Sequence, residues 1–186
     1  MPALKDLITD WSPHLVNIDQ CLNLNDLSLY GYSPKKKDCS GLPNVPLLKR
    51  LKITQSPIHT LNGLQKFTQL EELEFNYCSK LEELCSLEKS KETLTHLLFD
   101  CCKSIKNHAY VKQLQHLDTL AYNSSGTISS IKFIKKMNGL KSFRFVDTDV
   151  ADGDLTFCIG LRYASFSSKK HFSHTMKEMK DLQTHR

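Results

Sequence analysis

The segment Leu70-Glu-Glu-Leu73-Glu-Phe75-Asn-Tyr-Cys78 returns in kind 24 residues later as Leu94-Thr-His-Leu97-Leu-Phe99-Asp-Cys-Cys102. In both, large apolar residues hold the first, fourth and sixth places, and a small hydrogen-bonding residue lies eight after the start. The same frame fits Leu24/Leu27/Leu29 and Leu48/Leu51/Ile53 upstream. Downstream it fits Leu117/Leu120/Tyr122, Leu140/Phe143/Phe145 and Leu161/Ala164/Phe166. Successive starts lie 24, 22, 24, 23, 23 and 21 residues apart. The eighth residues are Tyr32, Ser56, Cys78, Cys102, Ser125, Thr148 and Lys169, and a further apolar residue follows at Ile58, Leu81, Ile105, Ile128 and Val150. A period held in register over seven units marks a stacked repeat architecture.

The pleat dictates what each unit does. Fourth and sixth positions point into a core, while third, fifth and seventh face the other side. One rung cannot bury its own leucines, so the rungs must stack into a parallel sheet. Seven strands make an arc about 30 Å long. Ser, Cys or Thr at the turn can bond the backbone groups that the strand leaves unpaired as it bends, so Cys78 and Cys102 read as structural. The returning segments Gly63–Leu70, Ala109–Gln115 and Ile131–Met137 carry helical or irregular signals, with Ile131, Ile134 and Met137 on one face. Lys132, Lys135 and Lys136 then fall on the solvated convex side. The expected fold class is α/β: a leucine-rich repeat solenoid of about seven rungs, its parallel sheet on the concave face and short helices and irregular turns on the convex one.

The whole chain, 1–186, reads as one domain. Residues 1–22 form a short amphipathic cap containing Leu4, Leu7, Ile8 and the single Trp11; 23–168 hold the repeats; 169–186 form a C-terminal cap and tail with a helical turn or two after Thr175. The connection Gly31–Pro46, with Lys35–Lys37, either loops beside the concave face or bridges irregular rungs.

Over residues 22–174 the chain resembles the short-repeat bacterial leucine-rich proteins. The segments Leu61-Asn-Gly-Leu64, Ser130-Ile-Lys-Phe-Ile-Lys135, Asp152-Gly-Asp-Leu155 and Lys169-Lys-His-Phe-Ser-His174 are similar to a bacterial subgroup found beside secreted polymorphic toxins and regarded as candidate immunity proteins. Ala164, where other rungs carry Leu or Phe, departs from the pattern. The resemblance implies a non-enzymatic cytoplasmic protein that binds and neutralises a cognate secreted bacterial toxin domain.

Composition agrees with a folded soluble chain: 40% hydrophobic and 24% charged residues exclude a disordered tail. No apolar run approaches the ~18 residues of a membrane span, and Met1–Asp10 lacks the form of a secretory signal. Seven cysteines, an odd number, favour reduced thiols and a cytoplasmic setting. The net charge of +5 is blocky: residues 35–52 and 132–144 are basic, and 71–88 carry six Glu against one Lys. Alternating blocks favour a patterned protein partner over a uniform phosphate track, so neither nucleic acid nor membrane is expected as partner, and the free chain is expected to be a monomer.

Motifs for chemistry fail on spacing. Asp147–Asp154 is acidic, but an EF-hand frame starting at Asp147 puts Ala151, Asp152 and Cys158 where a ligand, Gly and Glu belong. His171 and His174 lack convergent partners for zinc. Cys101 and Cys102 point to opposite faces. There is no glycine-rich phosphate loop and no Gly-x-Ser-x-Gly elbow. Neither enzyme activity, metal nor cofactor is expected.

The outward strand positions are the candidate partner-binding set: Tyr30, Arg50, Lys52, Glu72, Glu74, Tyr77, His96, Leu98, Asp100, Asn123, Arg144, Val146, Asp147 and Tyr163. Arg50 and Lys52 lie one ladder step from Glu72 and Glu74, so cross-strand pairing should neutralise part of this charge. Exposed tyrosines and Arg are the usual anchors of a protein interface. For a nuclease target, Glu71, Glu72, Glu74, Glu82 and Glu83 could stand in for phosphates. A general adaptor without a toxin partner is the alternative.

Overall fold

Each apolar hexamer becomes a short strand, because its alternating side chains can be buried together only on one face of an extended backbone. The computed structural model describes residues 4–13 and 17–184. Its strands are β1 (Asp6–Asp10), β2 (Asp26–Tyr30), β3 (Arg50–Thr54), β4 (Glu72–Asn76), β5 (His96–Asp100), β6 (Thr119–Asn123), β7 (Thr127–Ile128), β8 (Ser142–Phe145), β9 (Asp149–Val150) and β10 (Tyr163–Phe166), followed by one helix, α1 (Met176–Thr184). Eight of these strands form one parallel sheet in the order β1-β2-β3-β4-β5-β6-β8-β10, and β7 pairs with β9. The architecture is an α/β, solenoid-like stack. Register never slips: Leu7, Leu27, Leu51, Leu73, Leu97, Leu120, Phe143 and Ala164 lie side by side in one row.

The segment expected as an amphipathic cap supplies β1, an additional strand. Leu4, Leu7 and Trp11 pack against the core, and the Trp11 ring meets Tyr32 edge-on at 4.8 Å. At the other end α1 extends the expected helical turns. Met179 on α1 is buried, and the Met176 thioether accepts the Phe166 N–H at 3.4 Å on the outer edge of β10.

The first six of the seven units end their strands in the same way. The seventh residue after each of those starts is left-handed: Gly31 (φ 66°), Gln55 (57°), Tyr77 (54°), Cys101 (55°), Ser124 (47°) and Asp147 (53°). That conformation turns the chain sharply, so the next side chain enters the interior. Ser56, Cys78, Cys102, Ser125 and Thr148 accordingly form a buried column. Its members bond backbone across rungs: Ser56 Oγ donates to Tyr32 O at 2.5 Å and Cys102 Sγ to Phe75 O at 3.4 Å. The thiols expected to be structural are therefore buried within this column.

The chain returns through 3₁₀ segments at Ile18–Gln20, Leu64–Lys66, Glu88–Ser90, His108–Gln113, Lys132–Lys136 and Thr156–Cys158. The tight helix follows from the spacing of the buried residues. Leu61/Leu64/Phe67/Leu70, His108/Val111/Leu114/Leu117 and Ile131/Ile134/Met137/Leu140 recur every third residue, the period of a 3₁₀ turn rather than of an α-helix. The Gly31–Pro46 connection is no exception. Cys39, Leu42 and Val45 are buried at the same spacing, ahead of Leu48, so it bridges the rungs instead of looping out.

At the sixth position the core carries a line of rings. Phe75 stacks on Phe99 (5.7 Å, 9°), Phe99 on Tyr122 (5.1 Å, 6°) and Phe145 on Phe166 (5.1 Å, 13°). Tyr122 is fully buried, its hydroxyl donates to His108 O at 3.1 Å, and burial pushes its pKa well up.

Candidate functional site

The alternation that buries one row of each strand turns the other row to the opposite face, where Thr54, Asn76 and Ala121 are nonetheless buried, and parallel register aligns those outward residues across the sheet. One row runs Asp6, Asp26, Arg50, Glu72, His96, Thr119, Ser142, Tyr163; the next runs Ile8, Ser28, Lys52, Glu74, Leu98, Ala121, Arg144, Ser165. All fourteen candidate residues lie on this open face or at its rim. Tyr77 is 56% exposed, Tyr163 48%, Tyr30 42% and Val146 36%, while Leu98 is half-buried between Glu74 and Ala121.

Charge on the face is partly spent internally. Lys52 pairs with Glu74 at 2.9 Å, the cross-strand contact expected for it. Arg50 turns the other way: its Nε meets Asp26 at 2.6 Å, with Asp6 at 3.9 Å, rather than Glu72. That hydrogen bond to Asp26 holds the guanidinium pKa above its ordinary value. Among the described residues none forms an ion pair with Glu72, Asp100, Asp10 or Arg144. A depression of about 330 Å³ lies between these strands, lined by Asp26, Arg50, Lys52, Glu72, Glu74, His96 and Leu98.

Asn76, beside the candidates, and the candidates Asn123 and Asp147 are tied into the fold. Asn76 Nδ2 donates to Glu74 Oε1 at 2.8 Å. Asn123 Oδ1 accepts the Val146 N–H at 3.3 Å. Asp147 Oδ1 accepts from Ser167 Oγ at 2.7 Å, and Ser167 Oγ accepts the Asp147 N–H at 3.1 Å. These three hold the turn edge of the sheet in place.

The structure divides the acidic block. Glu72 and Glu74 face outward on β4, but Glu71 pairs with Lys49 at 2.7 Å just before the strand. Glu82 pairs with Lys106, which lowers its pKa, beyond the turn; Glu83 also lies there, at an isolated bridge to Thr60. The five glutamates therefore form no single phosphate-like patch.

The sequence reading missed Ile8, 74% exposed at the centre of β1 and level with Lys52 and Leu98. The alternation Asp6-Leu-Ile-Thr-Asp10, with Leu7 and Thr9 turned to the core side, was the signal for it. Among the described residues no group of three or more His, Cys, Asp or Glu is placed to hold a metal ion, and no helix is long and apolar enough to cross a membrane. Asp149 instead binds Lys169 and His171, both at 3.2 Å, across the last turn. No protein-family profile matches the chain, and no curated protein matches it in sequence.

Proposed function

We propose that this chain is a leucine-rich repeat protein of about seven rungs that works without catalysis or cofactor, as an immunity protein. In this reading it acts in the bacterial cytoplasm as a monomer and neutralises a cognate toxin domain by binding it through the open sheet face. The observation that carries the reading is the exposure of Tyr30, Tyr77, Tyr163 and Val146, with half-buried Leu98, on or at the rim of the outward face of one parallel sheet. Tyr is a preferred interface anchor because it buries a large area at small conformational cost. The repeat assignment draws support from the left-handed column, the Ser/Cys/Thr column and the 3₁₀ returns. The toxin assignment draws on the resemblance of the sequence alone.

The test compares wild type with the Leu98→Arg/Val146→Arg double variant. Both substitutions sit on the outward face, so folding should survive, as judged by circular dichroism. Wild type is expected to capture one dominant protein from host lysate and the variant to lose it. Expression of that protein should be toxic, and only the wild-type chain should restore growth. Capture of several partners, with no protection, would favour the general adaptor.

A further inference from the structure

The chain as a whole is basic, at +5, yet the face it offers is not. Strands β1 to β5 turn six carboxylates outward (Asp6, Asp10, Asp26, Glu72, Glu74 and Asp100), against only Arg50, Lys52 and, on β8, Arg144. Arg50 and Lys52 are consumed by Asp26 and Glu74. What remains on that half of the face is Asp10, Glu72 and Asp100, none of them ion-paired among the described residues. Part of the chain's positive charge lies on the opposite layer, in the 3₁₀ returns, where Lys112, Lys132, Lys135 and Lys136 are exposed. Packed layers are about 10 Å apart, more than the Debye length of about 8 Å at physiological salt. A molecule approaching the sheet therefore feels the face, not the net charge.

We infer that the open face docks a protein surface rich in Lys or Arg, with the unpaired carboxylates on β1, β4 and β5 as its counter-charges and the exposed tyrosines as its apolar contacts. This rests on the protein-binding reading above and names the chemistry of the partner. Complementary charge of this kind raises the association rate and rejects partners of like charge. A net charge of +5 taken alone would instead point to an anionic partner.

The probes are deca-lysine and deca-glutamate peptides, titrated into the isotope-labelled chain and followed by backbone amide NMR. Deca-lysine should shift amides of β1, β4 and β5, and weaken steeply between low and physiological ionic strength. Deca-glutamate should leave those strands unmoved and shift the Lys132–Lys136 segment. The triple variant Asp10→Asn/Glu72→Gln/Asp100→Asn should bind deca-lysine about tenfold more weakly, while Asp152→Asn, on a distant turn, should not. Shifts spread over the whole surface, deca-glutamate binding at β4, or unchanged affinity in the triple variant would overturn the inference. Those results would leave the protein-binding reading standing, because that reading is decided by the Leu98→Arg/Val146→Arg comparison.

Discussion

Ser125 Oγ accepts a hydrogen bond from the Cys102 N–H at 3.2 Å, although 23 residues separate the two. Ser125 N–H in turn donates to Thr148 Oγ1 at 2.9 Å, and its hydroxyl reaches Asn123 O at 2.7 Å. One buried residue, through its hydroxyl and its backbone N–H, thus joins three successive rungs. Ser125→Ala removes the acceptor and strands the Cys102 N–H away from water, an expected cost of about 1–3 kcal/mol. Ser125→Cys, which copies the neighbouring rungs at Cys78 and Cys102, should cost less. Urea unfolding of the two variants against wild type checks the order.

The left-handed column can be tested at its only glycine. A Cβ built on Gly31 meets nothing within 4 Å, so Gly31→Ala isolates the backbone penalty of φ 66°. About 1–2 kcal/mol is expected. Gly63 is left-handed too, but its Cβ would fall 2.3 Å from Ser40 N. Gly63→Ala should therefore destabilise further, by about 3 kcal/mol or more once overpacking is added. Equal losses at the two sites would refute the contact-based account.

Thiol reactivity should follow burial. Cys21, Cys39, Cys78, Cys102 and Cys158 are buried, and Cys85 and Cys101 are partly exposed. Burial pushes Cys158 up to about 12, so it holds almost no thiolate near neutrality. Partial burial and the adjacent Asp100 also raise Cys101. A disulfide reagent should modify Cys85 first and Cys101 more slowly, with the other five reacting only after denaturation. Mass mapping of the early product checks this, and modification of Cys78 or Cys102 in the native protein would contradict it.

His108 gives stability a dependence on pH. Its ring stands edge-on to Tyr122 at 4.8 Å, and burial lowers its pKa from 6.5. Below pH about 6.5 the unfolded chain takes up a proton that the folded chain refuses, so stability is full above that value and falls as pH drops through it. Thermal unfolding followed from pH about 7.5 to 5.5 should show this slope. His108→Gln should be less stable throughout but flatter with pH. Carboxylates lowered by their partners, such as Asp118 beside Lys141, act only nearer pH 4, outside the window.

The strands were legible because their signal is local: seven hexamers of apolar alternation map onto seven strands of the sheet. The returns were less so. Ile131, Ile134 and Met137 were assigned to a helical face, yet Leu61/Leu64/Phe67/Leu70 shows that the spacing is three, and a period of three separates the 3₁₀ helix from the α-helix only when followed through several turns. β1 escaped because Asp6-Leu-Ile-Thr-Asp10 has only two large apolar residues, of which one is exposed; its pairing with β2 supplies what its composition lacks. On the open face, sequence identified which residues face outward but not how they pair. Arg50 lies in register between Asp26 and Glu72, and only side-chain geometry decides that Asp26 takes it and Glu72 stays bare.

The line of rings running from Phe75 to Phe172 does not continue toward the N-terminus, where Leu29 and Ile53 occupy the same column. Stacked rings add about 0.5–1.5 kcal/mol per pair beyond their buried area, and in a stack of repeats such neighbour terms set where the array parts. The molecule is therefore stiff toward one end and compliant toward the other. Under load, β1 to β3 should peel away first, leaving the ring-bound remainder as a single mechanical block.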